Sequence, residues 1–200
     1  MLEELKYHIT PEQMLREQRE IEAAKTDPAR FEPLYNKYYE PILKFVFKRV
    51  ENKESAYDVT SQVFLNAMLK INQFKCNGTP FSSWLYRIAI NEINQQYRKE
   101  KIRRTVKVEE DELRYMANEI DDDEDIDTRY KRIAEMLGKL PEEDVQIVEL
   151  RFFERRAFRE IGQILNITEN NAKVKLYRIL DKLKTLITTN KTIKLGHEGQ

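Results

Sequence analysis

The densest run of side chains able to grip another molecule lies near the carboxyl end. Asn170, Asn171, Lys173, Val174, Lys175, Tyr177, Arg178 and Lys182 interleave there with an apolar series of Ala172, Leu176, Ile179, Leu180 and Leu183. Carboxamides can pair with adenine, cations with guanine or phosphate, and a branched apolar side chain can meet a thymine methyl. This is the chemistry of recognition, and nothing else in the chain suggests bond breaking. No G-x-x-x-x-G-K-[ST] loop, G-x-S-x-G elbow or H-E-x-x-H pair occurs. The one cysteine, Cys76, has no internal disulfide partner, and His8 and His197 sit at opposite ends with no zinc-ligand spacing between them. The residues call for no catalytic group, metal or cofactor.

The positions of the apolar series dictate a helix. Thr168 is a natural N-cap for it, and Ile167 just before can pack on Ala172. Upstream, Phe158, Ile161, Ile164 and Leu165 form one face of a shorter helix, and Gly162 removes a side chain where a second element can approach. Asn166, Ile167 and Thr168 make the turn. The outline is a helix-turn-helix whose second helix presents its first turns to the major groove. Asn170, Lys173 and Arg178 are the candidates for bases, Val174 and Tyr177 add apolar contact, and Lys175 and Lys182 suit phosphate. A helical hairpin with a solvated basic face has the same pattern, and these residues alone leave both readings open.

The rest of the chain is also helical in character. Only five Gly and six Pro occur in 200 residues, and the 40% hydrophobic content can fill real cores. The fold class expected is all-α: two small helical domains joined by an acidic linker, the second containing the helix-turn-helix. Residues 1–25 form an extension, helical from Pro11 to Lys25. Residues 26–104 form the first domain, 105–130 the linker, 131–188 the second domain and 189–200 a flexible tail. In the first domain Phe31, Leu34, Tyr35, Tyr38, Ile42, Phe45 and Val46 recur at helical spacing, with Pro41 expected to break or kink the helix near Tyr39 or Glu40. Ala56, Val59, Val63, Phe64, Ala67 and Met68 mark a second helix with Asp58, Ser61, Gln62 and Asn66 on its outer face. Lys75 to Pro80 reads as a loop. After it Ser82 or Ser83 caps a third helix carrying Trp84, Leu85, Ile88 and Ala89, which ends in Arg98, Lys99, Lys101, Arg103 and Arg104.

Charge is distributed in blocks although 35 basic and 35 acidic residues cancel. Between Thr105 and Tyr130 eleven acids face three bases, so this stretch repels itself and is expected to stay solvated. The basic end of the preceding helix suits phosphate. No apolar run is long enough to span a bilayer, and the first residues lack a signal-peptide core, so a cytoplasmic location without membrane insertion is expected.

Four stretches in order, "FEPLYNKYYEPILKFV", "AYDVTSQVFLNAM", "FSSWLYRIAINEINQQYRK" and "LPEEDVQIVELRFFERRAFREIGQILNITENNAKVKLYRILDKL", resemble bacterial RNA polymerase sigma factors of the extracytoplasmic-function group. The resemblance runs from Phe31 to Leu186. It implies a non-enzymatic subunit that binds core RNA polymerase, recognises promoter DNA and directs transcription initiation, with an anti-sigma factor as a further partner. It implies that the first domain binds polymerase through the face of Asp58, Ser61, Gln62 and Asn66. Lys75, Cys76, Asn77, Gly78 and Thr79, with Arg87, Asn91, Gln95, Arg98 and Lys99, would receive the melted minus-ten element. Arg151 joins Asn170, Asn171, Lys173, Val174, Lys175, Tyr177, Arg178 and Lys182 at the minus-thirty-five element. Asn166 and Asn171 stand where the family usually has Gly and Thr. A helix-turn-helix repressor or activator and a helical interaction scaffold are the competing classes. A repressor would normally dimerise and give the first domain no DNA role.

Overall fold

A computed structural model of the chain describes residues 10–76, 78–100, Glu112, Met116 and 133–195. The described residues form helices and connecting turns only. Helix α1 (Pro11–Thr26) opens with a reciprocal cap: the Gln13 N–H donates to the Thr10 hydroxyl at 3.2 Å and the Thr10 N–H to the Gln13 side chain at 2.9 Å. Asp27 then caps a 3₁₀ turn (Pro28–Phe31) through the Ala29 N–H at 3.0 Å.

Helix α2 (Glu32–Phe47) is continuous through Pro41, so of the break or kink expected near Tyr39 or Glu40 the break does not occur. Leu34 and Tyr38 before the proline and Ile42, Phe45 and Val46 after it are all buried, so packing on both sides outweighs the hydrogen bond Pro41 cannot make. Asn52 caps α3 (Lys53–Leu69), accepting from the Ser55 N–H at 2.8 Å. A 3₁₀ turn (Ile71–Gln73) and the loop lead to α4 (Phe81–Glu100). The two serines expected to cap this helix lie inside it and are buried, because the helix already begins at Phe81, whose ring packs on Phe74 and Trp84 at 5.3 and 5.5 Å.

In the second half a short helical stretch, 133–137, precedes α5 (Glu142–Val148), which passes into a π-helical turn (Glu149–Phe153). Helices α6 (Phe158–Leu165) and α7 (Glu169–Leu195) follow. Helix α7 continues beyond residue 188, into the stretch expected to be a flexible tail. The turn between α6 and α7 is tight because Asn166 adopts φ 58°, ψ 43°, the left-handed conformation glycine and asparagine tolerate best. The usual glycine and this asparagine therefore meet the same backbone demand. Thr168 caps α7 by accepting from the Asn171 N–H at 3.1 Å. Most of the acidic linker lies outside the described residues, but Glu112 and Met116 do not behave as solvated charge. Glu112 forms an ion pair with Lys48, and Met116 is fully buried among Ile133, Met136 and Leu176.

The apolar core does not divide as the sequence suggests. One cluster fills α1 to α4 and extends into Leu150, Ile161, Ile164 and Ala172 of the second half. The other joins Met116, Ile133, Met136, Ile147, Val148, Leu176, Ile179 and Leu183. At the junction Arg49, 1% exposed, donates from Nε to Glu149 at 3.1 Å, lies 3.6 Å from Glu154, and covers the Phe45 ring at 3.5 Å. Arg156, fully buried, donates to the Ser82 hydroxyl at 3.4 Å and to Glu160 at 3.3 Å, and stacks over Tyr86 at 4.2 Å. The Tyr86 hydroxyl donates to Glu154 at 3.0 Å. Removing one partner of such a buried pair costs about 3–5 kcal/mol, since the other charge is stranded.

Gly162 provides a local test of this packing. A Cβ there would lie 2.8 Å from the Ile167 carbonyl oxygen and 3.1 Å from the Glu169 nitrogen. Both are backbone atoms of the turn and cannot rotate away. Gly162→Ala is therefore expected to destabilise the chain by about 1–3 kcal/mol in urea unfolding, whereas alanine ordinarily stabilises a helix interior.

Candidate nucleic-acid interface

Helix α7 divides cleanly between two faces. Ala172, Leu176, Ile179, Leu180 and Leu183 are buried, while Asn170, Asn171, Lys173, Val174, Tyr177, Arg178 and Lys182 face solvent. Val174 is 38% and Tyr177 49% exposed, unusual for apolar groups on a helix that had buried positions available. Lys175, half-buried, reaches back to Glu143 on α5 at 3.5 Å. Arg151 neighbours this face through Phe158, whose ring packs on Tyr177 at 6.5 Å. It donates to the Arg156 carbonyl at 3.1 Å and its guanidinium lies over Phe158 at 4.9 Å, so it braces the approach to α6. The solvent-facing set is thus a cationic, amide-rich strip on a helix held by α5 and α6, the geometry of a helix that enters a groove.

The loop after α3 sits against the other module. Lys75, Cys76 and Gly78 are exposed and Thr79 half-buried; Asn77 lies outside the described residues. Gly78 adopts φ 71°, and the Arg159 guanidinium lies 2.9 Å from where a Cβ would project. The Gln163 amide donates to the Gly78 carbonyl at 3.3 Å. Arg87 on α4 donates to the backbone carbonyls of Gln163 and Ile164, the latter at 3.3 Å. A pocket of about 200 Å³ results, lined by Gln73, Phe74, Lys75, Thr79, Trp84, Arg87 and Gln163. It is below the roughly 300 Å³ at which drug-sized sites begin and is on the scale of one heterocycle. Trp84 packs on Phe74 at 5.3 Å and on Phe81, so it supports this wall from the core side. Farther along α4, Asn91, Gln95, Arg98 and Lys99 are exposed. Lys101, Arg103 and Arg104 lie outside the described residues.

On α3, Asp58, Ser61 and Gln62 are exposed together, with Leu65 44% and Leu69 67% exposed beside them. Asn66 is half-buried and donates to Glu92 on α4 at 2.9 Å. The residue groups therefore occupy three surfaces: the outer face of α3, the loop with α4, and α7. Arg159 and Gln163, absent from the sequence reading, join the loop; their only signal was a polar pair on the far side of an amphipathic helix. Among the described residues no group of three or more His, Cys, Asp or Glu could hold a metal ion. Nor is any described helix long and apolar enough to cross a membrane.

A helix-turn-helix packed on a second helical module is an architecture of DNA-binding proteins. Comparison with known proteins specifies the class. Sigma-70 region 2 matches residues 34–103 and Sigma-70 region 4 matches residues 130–183. The ECF RNA polymerase sigma factor SigW of Bacillus subtilis is 27% identical over 181 residues, covering 86% of this chain and 96% of SigW. The ECF RNA polymerase sigma factor BldN of Streptomyces coelicolor is 26% identical over 172 residues, covering 84% of this chain; the chain spans 64% of BldN's length. The fold is similar to that of CnrH, solved in complex with the cytosolic domain of CnrY, with TM-score 0.56, 21% identity and coverage of 85% of this chain and 95% of CnrH. The chain belongs to the sigma-70 family, in its ECF group of RNA polymerase sigma factors.

Cys76 reports on the loop. Its thiol is pushed above the ordinary range, first by loss of solvent around the sulfur and then by the charge of Glu17 on α1, with Lys25 acting in the opposite sense. Because the thiolate is the reactive form, a raised pKa keeps the group protonated to higher pH. Alkylation by iodoacetamide is expected to reach its midpoint above the ordinary thiol value of about 8.5, and unfolding in urea to bring that midpoint down.

Proposed function

We propose that the chain binds core RNA polymerase through the outer face of α3, receives the minus-ten element at the 75–80 loop and α4, and reads the minus-thirty-five element with α7. It thereby directs transcription initiation, as a cytoplasmic subunit that catalyses nothing itself and answers to an anti-sigma partner. The observation that carries this reading is the solvent-facing strip of Asn170, Asn171, Lys173, Val174, Tyr177 and Arg178 on a helix whose opposite side is fully buried. A helix stabilised only by packing gains little from holding Val174 and Tyr177 in water, and a DNA groove would cover both.

In this reading the three surfaces have different physical tasks. Lys173 and Arg178 offer donors to base edges, Asn170 and Asn171 offer carboxamides at the amino end of α7, and Lys182 lies a turn beyond Arg178, where it suits phosphate. The loop pocket, backed by Phe74 and Trp84, suits a base that has left the stack, since a snug site offsets an unstacking cost of a few kcal/mol. Asp58 and Gln62 flank an apolar edge at Leu65 and Leu69, a combination fit for a protein surface.

Runoff transcription with core polymerase and a library of upstream DNA tests the whole proposal. Lys173→Ala or Arg178→Ala should cost about 1–3 kcal/mol at the preferred minus-thirty-five element and relax base choice there. Lys182→Ala should weaken all sequences alike and lower the salt dependence. Unchanged base preference in the first two variants removes α7 as the reading element. Separately, Asp58→Ala with Gln62→Ala should weaken capture of core polymerase while changing folding stability by less than about 0.5 kcal/mol per site, because both side chains are exposed.

A further inference from the structure

We infer that Glu17 of α1 is a positioning residue for the minus-ten element: bonded to Tyr38 and acting through the rings of Phe81, Phe74 and Trp84, it sets the wall of the loop pocket and with it the base preferred there. This rests on the sigma-factor reading of the 75–80 loop and deepens it, since Glu17 belongs to the amino-terminal extension, to which that reading gives no task.

Three observations carry the inference. First, Glu17 is a buried carboxylate on a helix with ample solvent-facing surface. It is 5% exposed, while Arg16, Gln18 and Arg19 beside it face solvent. The Tyr38 hydroxyl and the Lys37 ammonium both donate to its Oε1, the latter at 2.6 Å, and the ammonium also lies over the Tyr38 ring at 5.1 Å. For packing alone, an apolar side chain of that size would serve as well. What the carboxylate adds is direction. A hydrogen bond weakens steeply when bent, so it fixes where the phenol stands.

Second, the fixed ring leads to the pocket. Tyr38 packs on Phe81 with centroids 5.8 Å apart, and Phe81 packs on Phe74 at 5.3 Å and on Trp84 at 5.5 Å. Phe74 and Trp84, themselves 5.3 Å apart, both line the pocket. One ring therefore separates the phenol from both aromatic walls. Close-packed interiors leave few voids to absorb a displacement, so a shift of Tyr38 passes to the wall.

Third, α1 also reaches the pocket directly. It packs against the 3₁₀ turn Ile71–Gln73, where Ile71 and Ile21 of α1 share one core, and Gln73 lines the pocket. The charge of Glu17 is felt at Cys76, whose thiol is raised first by burial and then by Glu17, with Lys25 opposing and Glu22 adding. A snug pocket selects a flipped base by shape and by hydrogen bonds to its edge, so small movements of these walls change the selection.

The test uses the full-length chain with core polymerase and a DNA library randomised at both promoter elements. Glu17→Leu removes the acceptor and keeps the packing, whereas Glu17→Gln keeps an acceptor for the Tyr38 hydroxyl. Tyr38→Phe removes the donor and is the milder change should Glu17→Leu fail to fold, which helicity by circular dichroism reports. Glu17→Leu and Tyr38→Phe are each expected to lower discrimination at the extruded base by about fivefold or more, with minus-thirty-five preference and capture of core polymerase unchanged. Combining them is expected to add nothing further, since both break one interaction, and Glu17→Gln to retain the wild-type preference. Trp84 is the single tryptophan of the chain, so its emission reports the pocket wall. That emission is expected to shift in Glu17→Leu and Tyr38→Phe but not in Glu17→Gln. Unchanged base preference in the folded variants overturns the inference, whatever they lose in urea stability. A changed preference with wild-type Trp84 emission overturns it too, because the effect then lies outside the wall. If the wild type itself shows no minus-ten preference, the reading of the loop fails and the effect on DNA falls with it, while Trp84 emission still decides whether α1 sets the wall.

Discussion

A guanidinium taken out of water must find its counter-charge, and Arg49 finds it on the other side of a module boundary. Its partners Glu149 and Glu154 both come from the turn between α5 and α6. That requirement fixes much else. The π-helical turn sets Glu149 inward, and the left-handed Arg155, at φ 50°, lets the Arg156 N–H reach the Leu150 carbonyl at 2.8 Å, so that a second guanidinium enters the seam over Tyr86. Charges of this kind add little net stability compared with apolar groups of the same shape. What they supply is register: one rotation of α6 against α4 satisfies them.

Register then determines which surfaces remain accessible. With α6 against α4, Gln163 and Arg159 fall on the 75–80 loop and Arg87 is drawn onto α6 carbonyls. The rigid turn at Asn166, backed by Gly162, carries α7 away with its amide and cationic strip outward. A small set of polar contacts at one seam thus covers the 75–80 loop and leaves the outer strip of α7 exposed.

Helix α1 has a comparable supporting role. Glu17, nearly buried, accepts from the Tyr38 hydroxyl and from Lys37, and Tyr38 is buried against Phe81 at the start of α4. Burial first, and then the charge of Glu17, holds the Tyr38 phenol far above its ordinary pKa, so the phenol stays a protonated donor across the physiological range. The extension is therefore integrated with the first module near the base of the loop.

The sequence by itself determined everything set by short-range pattern. Apolar spacing located α2, α3, α4, α6 and α7, Thr168 marked the start of α7, and Gly162 marked the close approach, because helix periodicity, caps and steric gaps are written within a few residues. The buried and exposed faces of α7 followed from the same spacing. The tertiary structure decided whatever depended on distant partners. Pro41 stays helical because residues on both sides are packed elsewhere. Ser82 meets Arg156, Glu149 meets Arg49 across 100 positions, and Arg87 donates to backbone carbonyls of α6. In a local window Glu149 and Arg156 read as ordinary solvated charges of "VELRFFERR". A charge declares its burial only when its counter-charge is in view, and that information lies in the fold rather than in the neighbouring residues.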